Sequence, residues 1–175
     1  MTVAAVVLAA GAATRYGSPK QLVFLPYVLE RLAATSVGEV VVVEGAYAIE
    51  ESETLSLDGI RVVHCADWAR GPGASLRCGL SALGEDVEAA LVVLADGPQL
   101  DPRAVERLIE HRHDADVVVA SYDGTRDHPA VLARGAWANV PDEGARALEA
   151  KLVACDDLEP PGDMDYPHLW QPPER

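Results

Sequence analysis

The chain has 175 residues, and 28 acidic against 14 basic side chains give it a formal net charge of −14. A balance of that sign excludes a phosphate-neutralising surface for DNA or RNA, and no basic stripe runs along any segment. No apolar run approaches the ~20 residues of a membrane span, and the opening MTVAAVVLAAGAATR lacks the basic region and cleavage site of a secretory leader, so a soluble, cytoplasmic protein without a membrane partner is expected.

The length suits one domain, which should bury roughly 70% of the surface its unfolded chain exposes. Cys65, Cys78 and Cys155 have spacings that match neither zinc nor redox motifs, and their odd number fits a reducing compartment. All three are expected as small apolar residues.

Val3 to Leu8 is a short β-branched run closed by glycine, the pattern of a strand buried on both faces. YVLERLAATS, Tyr27 to Ser36, has helical spacing, with Val28, Leu29, Leu32 and Ala33 on one side. Glu39 to Val43 and Ile60 to His64 read as strands, Gly73 to Leu83 as a helix, and Ala89 to Ala95 as another buried strand. Asp101 followed by Pro102 marks a helix start, and that helix is expected to reach His113. Asp116 to Ala120 and Pro129 to Leu132 read as strands, Asp142 to about Lys151 as a helix, and Asp163 to Trp170 as a terminal segment. Strands alternating with helices of this length predict an α/β fold, a mainly parallel sheet with helices on both sides. Ligands of such sheets bind beyond the carboxyl ends of the strands.

Two features fall at those ends. The first is the loop Gly11 to Lys20, in a chain with only two lysines, Lys20 and Lys151, against twelve arginines. A glycine loop after a strand can turn its amides inward as an anion nest, with Arg15 and Lys20 to neutralise phosphates. Its spacing fits neither GxxxxGK[ST] nor GxGxxG, so a P-loop ATPase or a nicotinamide-binding protein is disfavoured; a surface turn is the bland alternative. The second is Asp96, set directly after AALVVLA and followed by Gly97-Pro98. It reads either as a turn aspartate or as a ligand for magnesium, which needs only one or two carboxylates beside substrate phosphates.

Taken whole, LAAGAATRYGSPK matches LAAGxxxRxGxxK and resembles the signature of the MobA-like nucleotidyltransferases. HCADWARGPGASLRCGL, VVLADGPQLDP, DHPAVL, DEGARAL and DMDYP are similar to further elements of that family, in the family's order. The resemblance implies a three-layer, Rossmann-like (GT-A-like) nucleotidyltransferase fold. It also implies transfer of a nucleoside monophosphate from an NTP to a phosphorylated acceptor, with release of pyrophosphate. The nucleotide-binding half would occupy about residues 1–100 and the acceptor-binding half about 101–175.

In that reading Leu8, Ala9, Ala10, Gly11, Arg15, Lys20, Ser75 and Asp96 meet the nucleotide, and Arg15, Lys20 and Asp96 carry the catalysis. Mg2+ is implied on Asp96 and Asp165, with Asp163 as a less firm member. Arg126, His128 and Arg146 face the acceptor phosphate, Arg146 from a helix opening at Gly144, and Ser75 and Arg77 are candidates for ribose or base contacts. Among similar enzymes LAAG goes with cytidylyl and LAGG with guanylyl transfer. Ala10 therefore points to CTP and to molybdopterin as acceptor, the relatives it resembles being molybdenum cofactor cytidylyltransferases (MocA-like). A molybdoenzyme would then receive the product. GTP, a sugar 1-phosphate or phospholactate stays open as an alternative substrate, as does an inactive nucleotide-binding cofactor chaperone.

Tyr16, Asp127, Tyr166 and His168 depart from the family pattern, which predicts an altered acceptor site. LVFLPYVLERL also passes directly from Pro26 to Tyr27, where similar enzymes carry a glycine-containing turn. A piece missing there is expected to show as a measured mass above that of these 175 residues.

Overall fold

The computed structural model describes residues 2–12, 19–49, 57–164 and 171. Among the described residues seven strands form one sheet: β1 (Thr2–Leu8), β2 (Glu39–Glu44), β3 (Arg61–His64), β4 (Val87–Leu94), β5 (Val117–Tyr122), β6 (Thr125–Ala133) and β7 (Lys151–Ala154). Their order is β3-β2-β1-β4-β6-β5-β7. β1, β2, β3 and β4 run parallel, β6 is antiparallel to both neighbours, and β7 is parallel to β5.

Side chains on β1 alternate between the two faces as a strand requires. Val3, Ala5 and Val7 enter one core, Ala4 and Val6 the other. Helices α1 (Lys20–Ala33) and α3 (Pro102–Glu110) cover the first face through Leu25, Val28, Leu32, Val105 and Leu108. α2 (Pro72–Ser81) covers the second through Leu76 and Leu80. The fold is therefore three-layered α/β, as the alternating pattern predicts. Among the described residues no helix is long and apolar enough to cross a membrane.

Three expectations need correction. The helix expected over Tyr27 to Ser36 is α1, which starts already at Lys20, runs unbroken through Pro26 and ends at Ala33. The acidic, alanine-rich stretch from Asp142 to Lys151 is not a helix: Gly144 has φ +86°, Ala145–Ala147 make a single 3-10 turn, and Lys151 opens β7. Local propensity lost there to a left-handed glycine and to Arg126, which takes the carbonyls of Ala145 and Leu148 at 2.9 and 3.0 Å. Finally, Cys65 and Cys78 are joined as a disulfide between the end of β3 and α2, and only Cys155 is a free buried cysteine. The expected strand from Pro129 is also longer, because β6 begins at Thr125.

The predicted cap of α3 is present. Asp101 accepts the Arg103 amide at 2.9 Å, and the Arg103 guanidinium beside it holds its carboxyl below the usual carboxylate range. A carboxyl depressed in the folded state stabilises above its unfolded pKa and loses that contribution as pH falls through the folded value. Asp101→Ala is accordingly expected to cost about 1 kcal/mol in urea unfolding at pH 7. That difference from the wild type should shrink as the pH is taken below about 4.

Candidate active site

The parallel pairing of β1 with β4 sets Leu8 opposite Leu94, so the chain leaves both strands at the same edge. The Ala95 amide donates to the Leu8 carbonyl at 3.0 Å and the Ala9 amide to Val43 at 3.0 Å, which holds both exits in place. Beyond them Asp96 lies beside the first turn of α1, and Lys20 Nζ sits 2.7 Å from Asp96 Oδ2. The lysine side chain is only 15% exposed, so it is an ion-paired helix residue and not the solvent-facing loop residue its sequence context suggests.

A second carboxylate approaches the same ammonium. Asp163 Oδ1 lies 3.5 Å from Lys20 Nζ. It is carried there because the Gln99 amide donates to Pro161 and the Met164 amide to the Asp96 carbonyl, at 3.1 and 3.3 Å. The loop after β1 is tied from α1 as well: Gln21, a buried polar residue, donates from Nε2 to the Gly11 carbonyl at 3.0 Å.

A cavity of about 330 Å³ opens at this edge, lined by Leu8, Ala9, Ala10, Gly11, Lys20, Ser75 and Asp96 together with Trp68 and Pro72. Seven of the residues expected to meet a nucleotide thus converge, while Arg15 lies outside the described residues, as does Asp165. Trp68, Pro72 and Gln21 were not foreseen. Trp68 is set by packing against Gly45, where a Cβ would come within 2.6 Å of it, a proximity that no local pattern encodes.

A second cavity, also about 330 Å³, shares Leu8, Pro72 and Leu94 with the first. Arg126, His128 and Arg146, the expected acceptor residues, all line it. They differ in what they offer. Arg126 spends its terminal nitrogens on the Leu148 and Ala145 carbonyls and shapes the wall. Arg146 is exposed and reaches the cavity from the 3-10 turn instead of from a helix start. His128 precedes a cis peptide to Pro129, and its buried ring lies on Gly97. Burial lowers the imidazole pKa against the opposing pull of Asp127 and Asp96, so the ring is held neutral. Arg77 turns away from both cavities to Asp142 and the Val140 carbonyl, which corrects its expected contact with ribose or base.

The family profile for a MobA-like NTP transferase domain matches residues 5–154. The chain belongs to this family. It is a nucleotidyltransferase by that membership. Its structure is similar to Rv0371c from Mycobacterium tuberculosis H37Rv, at 26% identity and a TM-score of 0.82 over 95% of this chain and 94% of that one. A homologue of Rv0371c from Mycobacterium sp. strain JC1 is also 26% identical, with a TM-score of 0.80 over 94% and 90% of the two chains. A nucleotidyl transferase from Methanothermobacter has the same fold at 20% identity and a TM-score of 0.72, covering 94% of this chain and 92% of that one. In sequence the chain is 36% identical over 134 residues to the bifunctional protein GlmU of Mycolicibacterium vanbaalenii. That match covers 67% of this chain, which spans only 27% of the length of GlmU.

The contact of His128 with Gly97 gives the site a mechanical test. A Cβ at residue 97 would stand 2.6 Å from His128 Cε1 and 3.1 Å from Pro161 Cβ, so Gly97→Ala must displace the ring or the turn that carries Asp96. We expect it to lower stability by about 1–3 kcal/mol in urea unfolding.

Proposed function

We propose that this nucleotidyltransferase moves CMP from CTP to molybdopterin in a magnesium-dependent reaction and releases pyrophosphate. The observation that carries the reading is the meeting of Lys20 and Asp96 at 2.7 Å beside two cavities that share a wall. A triphosphate brings about four negative charges to a protein of net charge −14, so its binding needs concentrated local neutralisation. In this reading Lys20 exchanges Asp96 for the β- and γ-phosphates, assisted by Arg15 and by the amides of the loop at Gly11. Among the described residues a Cβ at Gly11 would meet nothing within 4 Å, and a glycine there lets a ligand approach the backbone closely.

Asp96 and Asp163 both turn carboxylate oxygens to one cationic group, and a hard divalent ion suits such a donor set. Asp96 with Asp165, and Asp163 beside them, would hold magnesium, whose charge there would stabilise the α-phosphate as it reacts. An oxygen of the acceptor phosphate attacks the α-phosphorus in line, the bond to the β-phosphate oxygen breaks, and pyrophosphate leaves with Lys20 and Arg15. The attacking phosphate is already anionic, so no general base is required, and the neutral His128 is given only a positioning role. Arg146 would pair with the acceptor phosphate, and Ser75 would face the ribose or base.

Ala10, which lines the first cavity, stands where the family pattern LAAG goes with cytidylyl transfer, and in this reading it favours CTP over GTP. Residues up to about 100 serve the nucleotide and those after it serve mainly the acceptor. A cytoplasmic setting and delivery of the product to a molybdoenzyme go with this reading.

Pyrophosphate release measured with magnesium, CTP or GTP, and molybdopterin or a sugar 1-phosphate tests the proposal. Release with CTP and molybdopterin is expected, falling about a hundredfold or more in Lys20→Ala. Turnover with the sugar phosphate and none with molybdopterin would sink it.

A further inference from the structure

The segment that ends at the second cavity is clasped onto the helix that borders the first. Arg77 Nη1 donates to the Val140 carbonyl at 2.8 Å, and its Nη2 pairs with Asp142 Oδ1. Arg70 Nη2 meets the other oxygen of the same carboxylate at 3.2 Å. The backbone joins in, because the Gly73 amide donates to the Asp142 carbonyl at 2.9 Å. Neither glycine of the helix start admits a side chain there: a Cβ at Gly71 would lie 2.5 Å from the Asp142 carbonyl oxygen, and one at Gly73 would overlap that of Pro141. Between these glycines stands Pro72, which lines both cavities. Two residues beyond Asp142 the strap reaches Gly144, Ala145 and Arg146 in the wall of the second cavity.

We propose that Asp142 is a positioning residue, which through Arg70 and Arg77 fixes the distance between the acceptor cavity and the nucleotide cavity. The inference rests on the two-substrate reading above. An ion pair as exposed as this one contributes little to the stability of a fold. Its effect lies in where it holds the strap: without the carboxylate, the peptide at 140–142 keeps its glycine cradle and the Arg77 bond to the Val140 carbonyl but loses the ion pairs to Arg77 and Arg70 that fix its tilt. Arg146 and the wall around it would then shift relative to Lys20 and Asp96, and misplacement on the order of 1 Å lowers rates about a hundredfold.

The test compares wild type, Asp142→Asn, Arg77→Gln and the double variant in the pyrophosphate assay with CTP, magnesium and molybdopterin, alongside CTP titration and thermal unfolding. Each single variant should lose roughly 10- to 100-fold in kcat/KM for molybdopterin. CTP affinity should stay within about twofold and the melting temperature should be unchanged, and the double variant should be no worse than either single one if the clasp acts as a unit. Unchanged molybdopterin kinetics in the variants would overturn the inference and leave the function standing, as would equal losses for both substrates together with a lowered melting temperature. A wild type that binds CTP yet releases no pyrophosphate with molybdopterin overturns the function itself, and the inference with it.

Discussion

The ion pair between Lys20 and Asp96 is the constraint on which the rest of the site depends. Its two charges belong to elements far apart in sequence, the first turn of α1 and the turn after β4, and meet at 2.7 Å with both side chains mostly shielded from water. In a chain with twice as many acidic as basic groups, positive charge held in such a place is scarce. Screening by water and salt is weaker there than on the open surface, so the pair acts more strongly than an exposed one would; in the function proposed above, the same ammonium passes from the carboxylate to an incoming phosphate.

Sheet topology brings that pair about. Parallel strands β1 and β4 end level with each other, and their in-register pairing from Val3 with Ala89 to Leu8 with Leu94 leaves no freedom in where the two loops emerge. β6 runs against β4, pairing Val92 with Ala130, so the beginning of β6 lies where β4 ends. That reversal is why Arg126 and His128, thirty residues beyond Asp96, border the same region. The two cavities share Leu8 and Leu94 at the ends of β1 and β4, and Pro72 from the start of α2.

Arginine serves here as bracing more than as ligand. Arg126 carries the carbonyls of Ala145 and Leu148, Arg77 the carbonyl of Val140 and the carboxylate of Asp142, and Arg107 the carboxylate of Asp157 together with the Ala154 carbonyl. A planar fork with five donors satisfies several oxygens of an irregular segment at once, which a lysine ammonium cannot do with the same geometry. The irregular last third of the chain keeps its shape through these forks, while Lys20 is left to the cavity.

The sequence by itself determined the α/β class, the strand-loop-helix start, and the placement of Gly11 and Asp96 just beyond strand ends, because alternating apolar periods and glycine breaks are local signals that each segment carries alone. It also named Lys20, Ser75 and Asp96 in the first cavity and Arg126, His128 and Arg146 in the second. Only the tertiary structure decided that Lys20 lies in a helix against Asp96, that Arg77 and Arg126 are struts, that Cys65 and Cys78 are bonded, and that residues 142–151 turn into β7 instead of a helix. Each of these depends on a partner tens of residues away or on a backbone approach such as Gly73 to Pro141, and side-chain spacing along a chain does not record which distant segment a strand order will bring beside it.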